Sequence, residues 1–94
     1  MVLIPAISGV ILASTTSVTT TATAIPATAL SGRRSMVIHN NGTVTVFLGS
    51  SAVTTSNGLP LAAAEKQGLD LDDGVVLYGI VASGTADVRT LEGA

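Results

Sequence analysis

The stretch from Arg34 to Ser50, RSMVIHNNGTVTVFLGS, constrains the fold of this chain more than any other. It holds two runs with β-strand character, Met36 to His39 and Thr43 to Leu48, and the second alternates apolar and polar side chains. Between them lies Asn41-Gly42, the pair that tight primed turns prefer because both residues tolerate a positive φ. We therefore expect a β-hairpin whose return strand turns three residues to one face: Val44, Val46 and Leu48.

The composition limits what the chain can do. Its 94 residues include no Cys and a single His, which argues against a disulfide framework and against a thiolate or His-rich zinc site. Only two residues are aromatic, so the core must consist of aliphatic side chains and Thr methyl groups. Charged residues make up 11% of the chain and the net charge is −2, which argues against nucleic-acid binding. A chain this small and apolar is a candidate for stabilisation by oligomerisation or by a larger assembly.

The chain begins with an apolar run of 13 residues, MVLIPAISGVILA. A cleaved secretory signal is one interpretation, but no positive charge precedes the run and Pro5 and Gly9 interrupt it. A membrane-spanning helix needs about 20 apolar residues, so the run is too short for one. The Thr-rich tract that follows, Ser14 to Ala29, favours an extended backbone. It is typical either of a frayed tail or of an arm that adds a strand to a neighbouring subunit.

We prefer the arm, over residues 1–25, because a solvated tail has no need of large apolar side chains. The arm residues expected to contact a partner subunit or shell are Leu3, Ile4, Ile7, Val10, Ile11 and Leu12. The remaining residues, 26–94, are expected to form one β domain.

Within that domain, the segment Gly49 to Leu61 is interpreted as a loop with a short extended piece near Val53. Ala62 to Gln67 is interpreted as at most one turn of helix. Apolar runs between turn residues predict three further strands: Gly68 to Leu71, Val75 to Ala82 and Ala86 to Leu91. The second of these is almost continuously apolar, which predicts a strand covered on both faces. Six to seven short strands predict an all-β fold, a small antiparallel β-sandwich or barrel with an extended N-terminal arm.

No group of residues predicts catalysis. His39 has no second His, no Cys and no clear acidic partner in the sequence, and is interpreted as a strand residue near a turn. The carboxylates before Gly74, at Asp70, Asp72 and Asp73, lack the spacing and the final Glu of a calcium-binding loop. A turn is therefore preferred to a cation site. We expect no enzyme activity, no catalytic residue, no metal site and no cofactor.

The remaining charged pairs are interpreted as structural. Arg33 and Arg34 precede the first predicted strand, and solvated charges that protect a strand edge are preferred to anchors for an acidic partner. Asp87 and Arg89 lie two residues apart in a predicted strand, so we expect them to share a face and to pair.

Two stretches resemble small virion proteins of tailed bacteriophages: NNGTVTVFLGSSAVTTSNGLPL and LDLDDGVVLYGIVASGTADVRTLE. In that family an Asn-x-Gly turn, a V-x-(Y/F)-x-G strand, a V-T-x-x-N-G-x-P-L loop and an L-Y-G-I/V strand recur. The resemblance extends from about Ala24 to Glu92 and consists of turns and β-core positions. It therefore implies no functional residue.

The resemblance implies a structural part of the phage particle: a capsid decoration (cement) protein, a head-fibre base, or a tail or neck component. We favour a decoration protein on the capsid surface of the virion. Its implied partners are the major capsid protein and copies of itself, with a trimer as the expected oligomer and with neither nucleic acid nor membrane. Two alternatives stay open. A carbohydrate- or receptor-binding module requires exposed aromatic side chains, and a secreted or fimbrial-type subunit requires the first 13 residues to act as a signal.

Overall fold

A computed structural model describes residues 9–94 of the chain. They contain eight β-strands and no helix: β1 (Ile11–Val18), β2 (Thr23–Ile25), β3 (Ser35–Asn40), β4 (Val46–Gly49), β5 (Leu59–Leu61), β6 (Lys66–Leu69), β7 (Leu77–Ile80) and β8 (Ala86–Gly93). The strands divide between two four-stranded antiparallel sheets. We call them sheet A, in the order β1-β8-β3-β6, and sheet B, in the order β2-β7-β4-β5. The all-β prediction is confirmed.

The strand order follows one rule. The first strand pairs with the last, the second with the seventh, the third with the sixth and the fourth with the fifth. This is the order obtained when a long antiparallel ribbon is rolled up so that alternate pairs fall in opposite sheets. It is the strand order of a jelly roll, an architecture built from two Greek keys.

The hydrophobic cluster lies between the two sheets and consists of aliphatic side chains. In β8 the inward residues Ala86 and Val88 are buried, whereas Asp87 and Arg89 point outward, as period-two alternation requires. The buried cluster takes side chains from both sheets: Val18, Ile38, Ala86 and Val88 of sheet A and Ile25, Val46, Leu48 and Leu61 of sheet B, with Val81 beside them. The predicted inward positions Val46 and Leu48 are therefore confirmed.

The predicted hairpin is wrong, because its two strands belong to different sheets. The strand β3 pairs with β8 and β6, whereas β4 pairs with β5 and β7. The chain crosses between the sheets at Asn40, whose buried side-chain amide donates to the carbonyl oxygens of Val44 and Leu61 at 2.8 and 2.9 Å. Gly42 does not have a positive φ. A Cβ at Gly42 would lie 3.0 Å from the Cα of Ala86, so glycine is needed there for close approach.

The N-terminal arm is not confirmed over the described residues. From Ile11 onward the chain is part of the sheets: β1 pairs with β8 along its whole length, and β2 pairs with β7. The Thr-rich tract thus supplies strands instead of an arm. Its polar appearance is misleading because Thr16 is buried in the sheet, where β-branched side chains pack well.

Other predicted boundaries also move. Residues 9–94 hold eight strands instead of the predicted six to seven, because the predicted arm supplies two strands and β5 lies within the predicted loop, whereas Val53 is in no strand. The helical turn predicted over Ala62 to Gln67 is wrong: the chain makes a non-helical turn there and enters β6 at Lys66. The strand predicted from Val75 begins only at Leu77, after the exposed Val75 and Val76. Of the β7 residues only Gly79 is fully buried, so the predicted cover on both faces is wrong. Finally β8 continues past Leu91 to Gly93, and this extension places Glu92 on the buried face of the strand.

Candidate interaction surface

The strand β1 lies at one edge of sheet A, with β8 on its inner side. Just before it, Val10 and Ala94 exchange both backbone hydrogen bonds, Val10 N–H to Ala94 O at 3.3 Å and Ala94 N–H to Val10 O at 2.9 Å. Hydrogen-bonded pairs alternate along an antiparallel ladder. The even-numbered residues of β1 therefore bond to β8. Four residues turn their N–H and C=O groups to the other side of β1, where no strand of residues 9–94 pairs with them: Ile11, Ala13, Thr15 and Ser17. We call this side the free edge of β1.

The sequence-predicted contact residues fall partly on this edge. Val10 is 52% exposed, Ile11 62% and Leu12 41%. They meet at the start of β1, beside the C-terminus of the chain. Leu3, Ile4 and Ile7 lie outside the described residues.

The exposed apolar surface continues across the outer face of sheet A. The strand register places Ala13 beside Leu91, and Leu91 beside Val37 of β3. Both Leu91 and Val37 are exposed. Together with Ile11 they form what we call the outer patch: Ile11, Ala13, Val37 and Leu91. Sequence reasoning missed the part on β3 and β8 because the pairing of these strands decides which residues meet.

The free edge of β1 differs from the other three sheet edges. The edge strands β2 and β5 have three residues each, and β5 contains Pro60, which has no N–H to offer. The edge strand β6 has four residues and begins with Lys66. These are the features by which proteins protect sheet edges. In contrast, β1 has eight residues, ILASTTSV, with no proline and no charge. All charged side chains of the chain follow residue 32.

A buried ion pair, Arg33 with Glu92 of β8, lies on the inner face of sheet A next to β1. Glu92 stands between Leu12 and Met36 in the strand register, and its Oε2 accepts from Arg33 Nη1 at 2.9 Å and from Leu30 N–H at 3.1 Å. Arg33 also donates to the carbonyl oxygens of Leu71, Asp72 and Val75. The side chains of Arg33 and Glu92 are 1% and 0% exposed. The interpretation of Arg33 as a solvated edge charge is therefore wrong, whereas Arg34 is exposed.

The pair on the outer face of β8 was predicted correctly. Asp87 and Arg89 form an ion pair at 3.0 Å, and the Asn41 side-chain amide also donates to Asp87. The hydrogen bonds from Arg89 and then Asn41 lower the pKa of Asp87, and the hydrogen bond to Asp87 raises the pKa of Arg89. The pair is largely exposed, and the contacts between the turn after β3 and β8 come from Asn41, whose backbone N–H also donates to the Asp87 carbonyl oxygen.

The remaining reactive side chains have structural surroundings. His39 is half-buried in β3 and lies in register between Arg89 and Lys66, so no acidic side chain stands opposite it in the sheet. Asp72 accepts from the Gly74 N–H at 2.8 Å, as expected of a turn. Asp73 accepts from the Gly32 N–H at 2.6 Å, and this hydrogen bond lowers the pKa of Asp73. Residues 9–94 contain no group of three or more His, Cys, Asp or Glu that is placed to hold a metal ion.

Comparison of the chain with protein-family models, with curated proteins and with solved structures finds no match. The resemblance to small virion proteins of tailed bacteriophages therefore stays a prediction from the sequence. Within residues 9–94 there is no helix long and apolar enough to cross a membrane.

Proposed function

We propose that this chain is a structural protein of a tailed-bacteriophage virion that decorates the capsid surface. Its partners on the shell are the major capsid protein and further copies of itself. The role is one of binding and stabilisation without chemistry. The observation that supports it is the uncharged, apolar start of β1, where Val10, Ile11 and Leu12 stand exposed beside an unprotected sheet edge.

Such a surface can bind a protein shell in two ways. Removing exposed apolar side chains from water is favourable, and the free energy falls roughly in proportion to the apolar area buried. A free sheet edge gains main-chain hydrogen bonds when an extended segment is added to it. Neither contact needs charge, which suits a chain with no charged residue before Arg33.

The architecture is compatible with this role without selecting it. Jelly rolls occur in viral capsid proteins but also in lectin domains and cupins, and a fold does not determine a function. The weight of the proposal therefore rests on the exposed surface and on the sequence resemblance. The same surface suits a head-fibre base or a tail or neck component, and the number of copies per particle separates these roles.

The first test is quantitative mass spectrometry of purified particles of the phage that encodes the chain. The readout is the number of copies of this chain per copy of the major capsid protein. Hundreds of copies per particle are expected of a decoration protein. A dozen or fewer would replace that role by a fibre, neck or tail component, and absence from the particle would overturn the virion role.

The second test places the contact on the surface. Purified full-length chain is added to particles that lack it, and binding is measured by co-sedimentation. Ile11→Asp is expected to abolish binding because it buries a charge in the contact. Leu59→Asp is a matched control, since Leu59 is 61% exposed against 62% for Ile11 but lies on β5 of sheet B. Equal binding by both variants would contradict a shell contact at the start of β1.

The extent of any deletion follows from the strands. Removal of residues 1–24 would take away all of β1 and most of β2, so it would test folding and not binding. Removal of residues 1–8 leaves every strand of the two sheets in place. We expect this shorter deletion to fold and to bind the shell more weakly, because it removes Leu3, Ile4 and Ile7. Unchanged binding would show that these three residues are not shell contacts.

A further inference from the structure

We infer that two copies of this chain associate by antiparallel pairing of their β1 edges. The two-fold axis passes between Ser14 of one copy and Ser14 of the other. The inference rests on the self-association part of the proposed function and names the strand that carries it. It is independent of the shell, so it can be tested on the purified chain alone.

The first argument is the difference between the sheet edges. Three edges are short or carry Pro60 or Lys66, and each of these features hinders the addition of a strand. Only β1 offers a long, regular edge, with backbone donors and acceptors at Ile11, Ala13, Thr15 and Ser17 that have no partner strand within residues 9–94. An edge of this kind is a template for another strand.

The second argument is charge. A partner strand must lie about 4.8 Å from β1, so any charge on it would face the neighbouring strand closely. A second β1 meets this condition because ILASTTSV contains neither an acid nor a base. The edge strand β6 of another copy would instead bring Lys66 against the uncharged Thr and Ser side chains and would leave it without an acidic partner. The edge is therefore best matched by itself.

The register follows from the hydrogen-bond pattern. The free-edge residues of β1 are odd-numbered, and two odd-numbered residues must face each other to exchange hydrogen bonds. One two-fold register uses all four free-edge residues of both copies. It places Ile11 opposite Ser17 and Ala13 opposite Thr15. Each of the four resulting pairs exchanges two hydrogen bonds. Ser14 then faces Ser14 of the second copy in a pair without hydrogen bonds.

The paired arrangement has consequences for the surface. Two copies of sheet A form one continuous eight-stranded sheet, and both outer patches lie on the same side of it because the axis is perpendicular to the sheet. Val10 of each copy falls opposite Val18 of the other in the extended register. A two-fold contact uses the same surface on both copies and is closed. It therefore accounts for a dimer, and the trimer expected from the sequence would need a different surface.

Cysteine crosslinking tests the register directly, since the chain has no cysteine of its own. Opposite residues in a pair without hydrogen bonds have Cα atoms about 4.5 Å apart, within the range that a disulfide spans. Full-length Ser14→Cys is therefore expected to form a covalent dimer nearly completely under mild oxidation. Ser17→Cys is the matched control. In the proposed register the two Ser17 residues are six positions out of alignment, about 20 Å apart, and should not crosslink.

Hydrogen exchange of the unmodified chain gives a second, independent readout. The amides of Ile11, Ala13, Thr15 and Ser17 are expected to become protected as the concentration rises, whereas the even-numbered amides of β1 stay protected throughout. A monomer at all concentrations would overturn the inference. So would sedimentation as a trimer, equal crosslinking of Ser17→Cys, or concentration-independent protection of the odd-numbered amides, which would mean that the chain covers its own edge.

Discussion

Two ion pairs of similar length lie on opposite faces of β8, one buried and one exposed. Arg33 and Glu92 approach to 2.9 Å on the inner face, and Arg89 and Asp87 to 3.0 Å on the outer face. The side chains of the inner pair are 1% and 0% exposed, and those of the outer pair 54% and 37%. Two contacts of nearly equal length thus differ sharply in their exposure to water.

The difference shows that distance alone does not rank ion pairs. Removing two charges from water costs several kcal/mol per ion, and the inner pair offsets this cost only through further hydrogen bonds. Arg33 has such bonds to three carbonyl oxygens of the segment after β6, and Glu92 has one from Leu30. The outer charges keep much of their hydration and are screened by salt. The inner pair therefore holds loops in place, and the outer pair contributes little to folding.

The largest expected effect is that of Arg33→Met. It leaves Glu92 charged and buried without its partner and releases the carbonyl oxygens of Leu71, Asp72 and Val75. Breaking a buried pair in this way costs about 3–5 kcal/mol. A domain of this size has a total stability of about 5–14 kcal/mol, so much of it would be lost. The free energy of unfolding is measured by urea denaturation at neutral pH.

Two further variants sharpen the result. Arg34→Met changes the exposed neighbour and is expected to unfold at the wild-type urea concentration. Glu92→Gln is expected to be milder than Arg33→Met because the guanidinium keeps its three carbonyl acceptors. If Glu92→Gln costs as much as Arg33→Met, the carbonyl bonds do not matter and the ion pair alone carries the effect.

The sequence predicts the outer pair but not the inner pair, and the reason is where the predicted strand ends. Asp87 and Arg89 fall within the predicted strand Ala86 to Leu91, where period two puts them on one outward face. The same alternation turns Ala86, Val88, Thr90 and then Glu92 inward. Because the predicted strand ends one residue too early, Glu92 is left outside it. A strand extended by one residue would have placed a carboxylate on the inward face, where a charge needs an ionic or hydrogen-bonding partner.

The fold is predictable only as far as local pattern reaches. Alternation identifies β4 and β8 and the inward positions Val46 and Leu48. It does not say which strands pair, so the crossing at Asn40 was interpreted as a hairpin. The exposed surface is predictable in part. Val10, Ile11 and Leu12 come from the sequence, whereas Leu91 and Val37 join them only through the register of β8 with β3.

The second-largest effect is expected from the pH dependence of stability that Asp87 contributes through the outer pair. The hydrogen bond from Arg89 holds the pKa of Asp87 below that of an unfolded Asp, so the native state binds fewer protons there than the unfolded state. The contribution of Asp87 is therefore complete above about pH 4 and is lost as the pH falls through the lowered native pKa. Between pH 5 and pH 2, the urea midpoint of Asp87→Asn should fall less steeply than that of the wild type. Identical slopes would contradict a lowered pKa.

The smallest effect is expected from Arg89→Gln, measured in a double-mutant cycle with Asp87→Asn at neutral pH. The exposed pair is screened by salt, so the interaction between the two sites should be detectable at low ionic strength and should vanish at about 1 M salt, where the screening length is about 3 Å. Asn41 still donates to Asp87 in the single variant Arg89→Gln, which further reduces its effect. An interaction that persists in high salt would mean that the outer pair is shielded from water. Residues 9–94 leave the pair largely exposed, so the result would mark the outer face of sheet A as a covered surface.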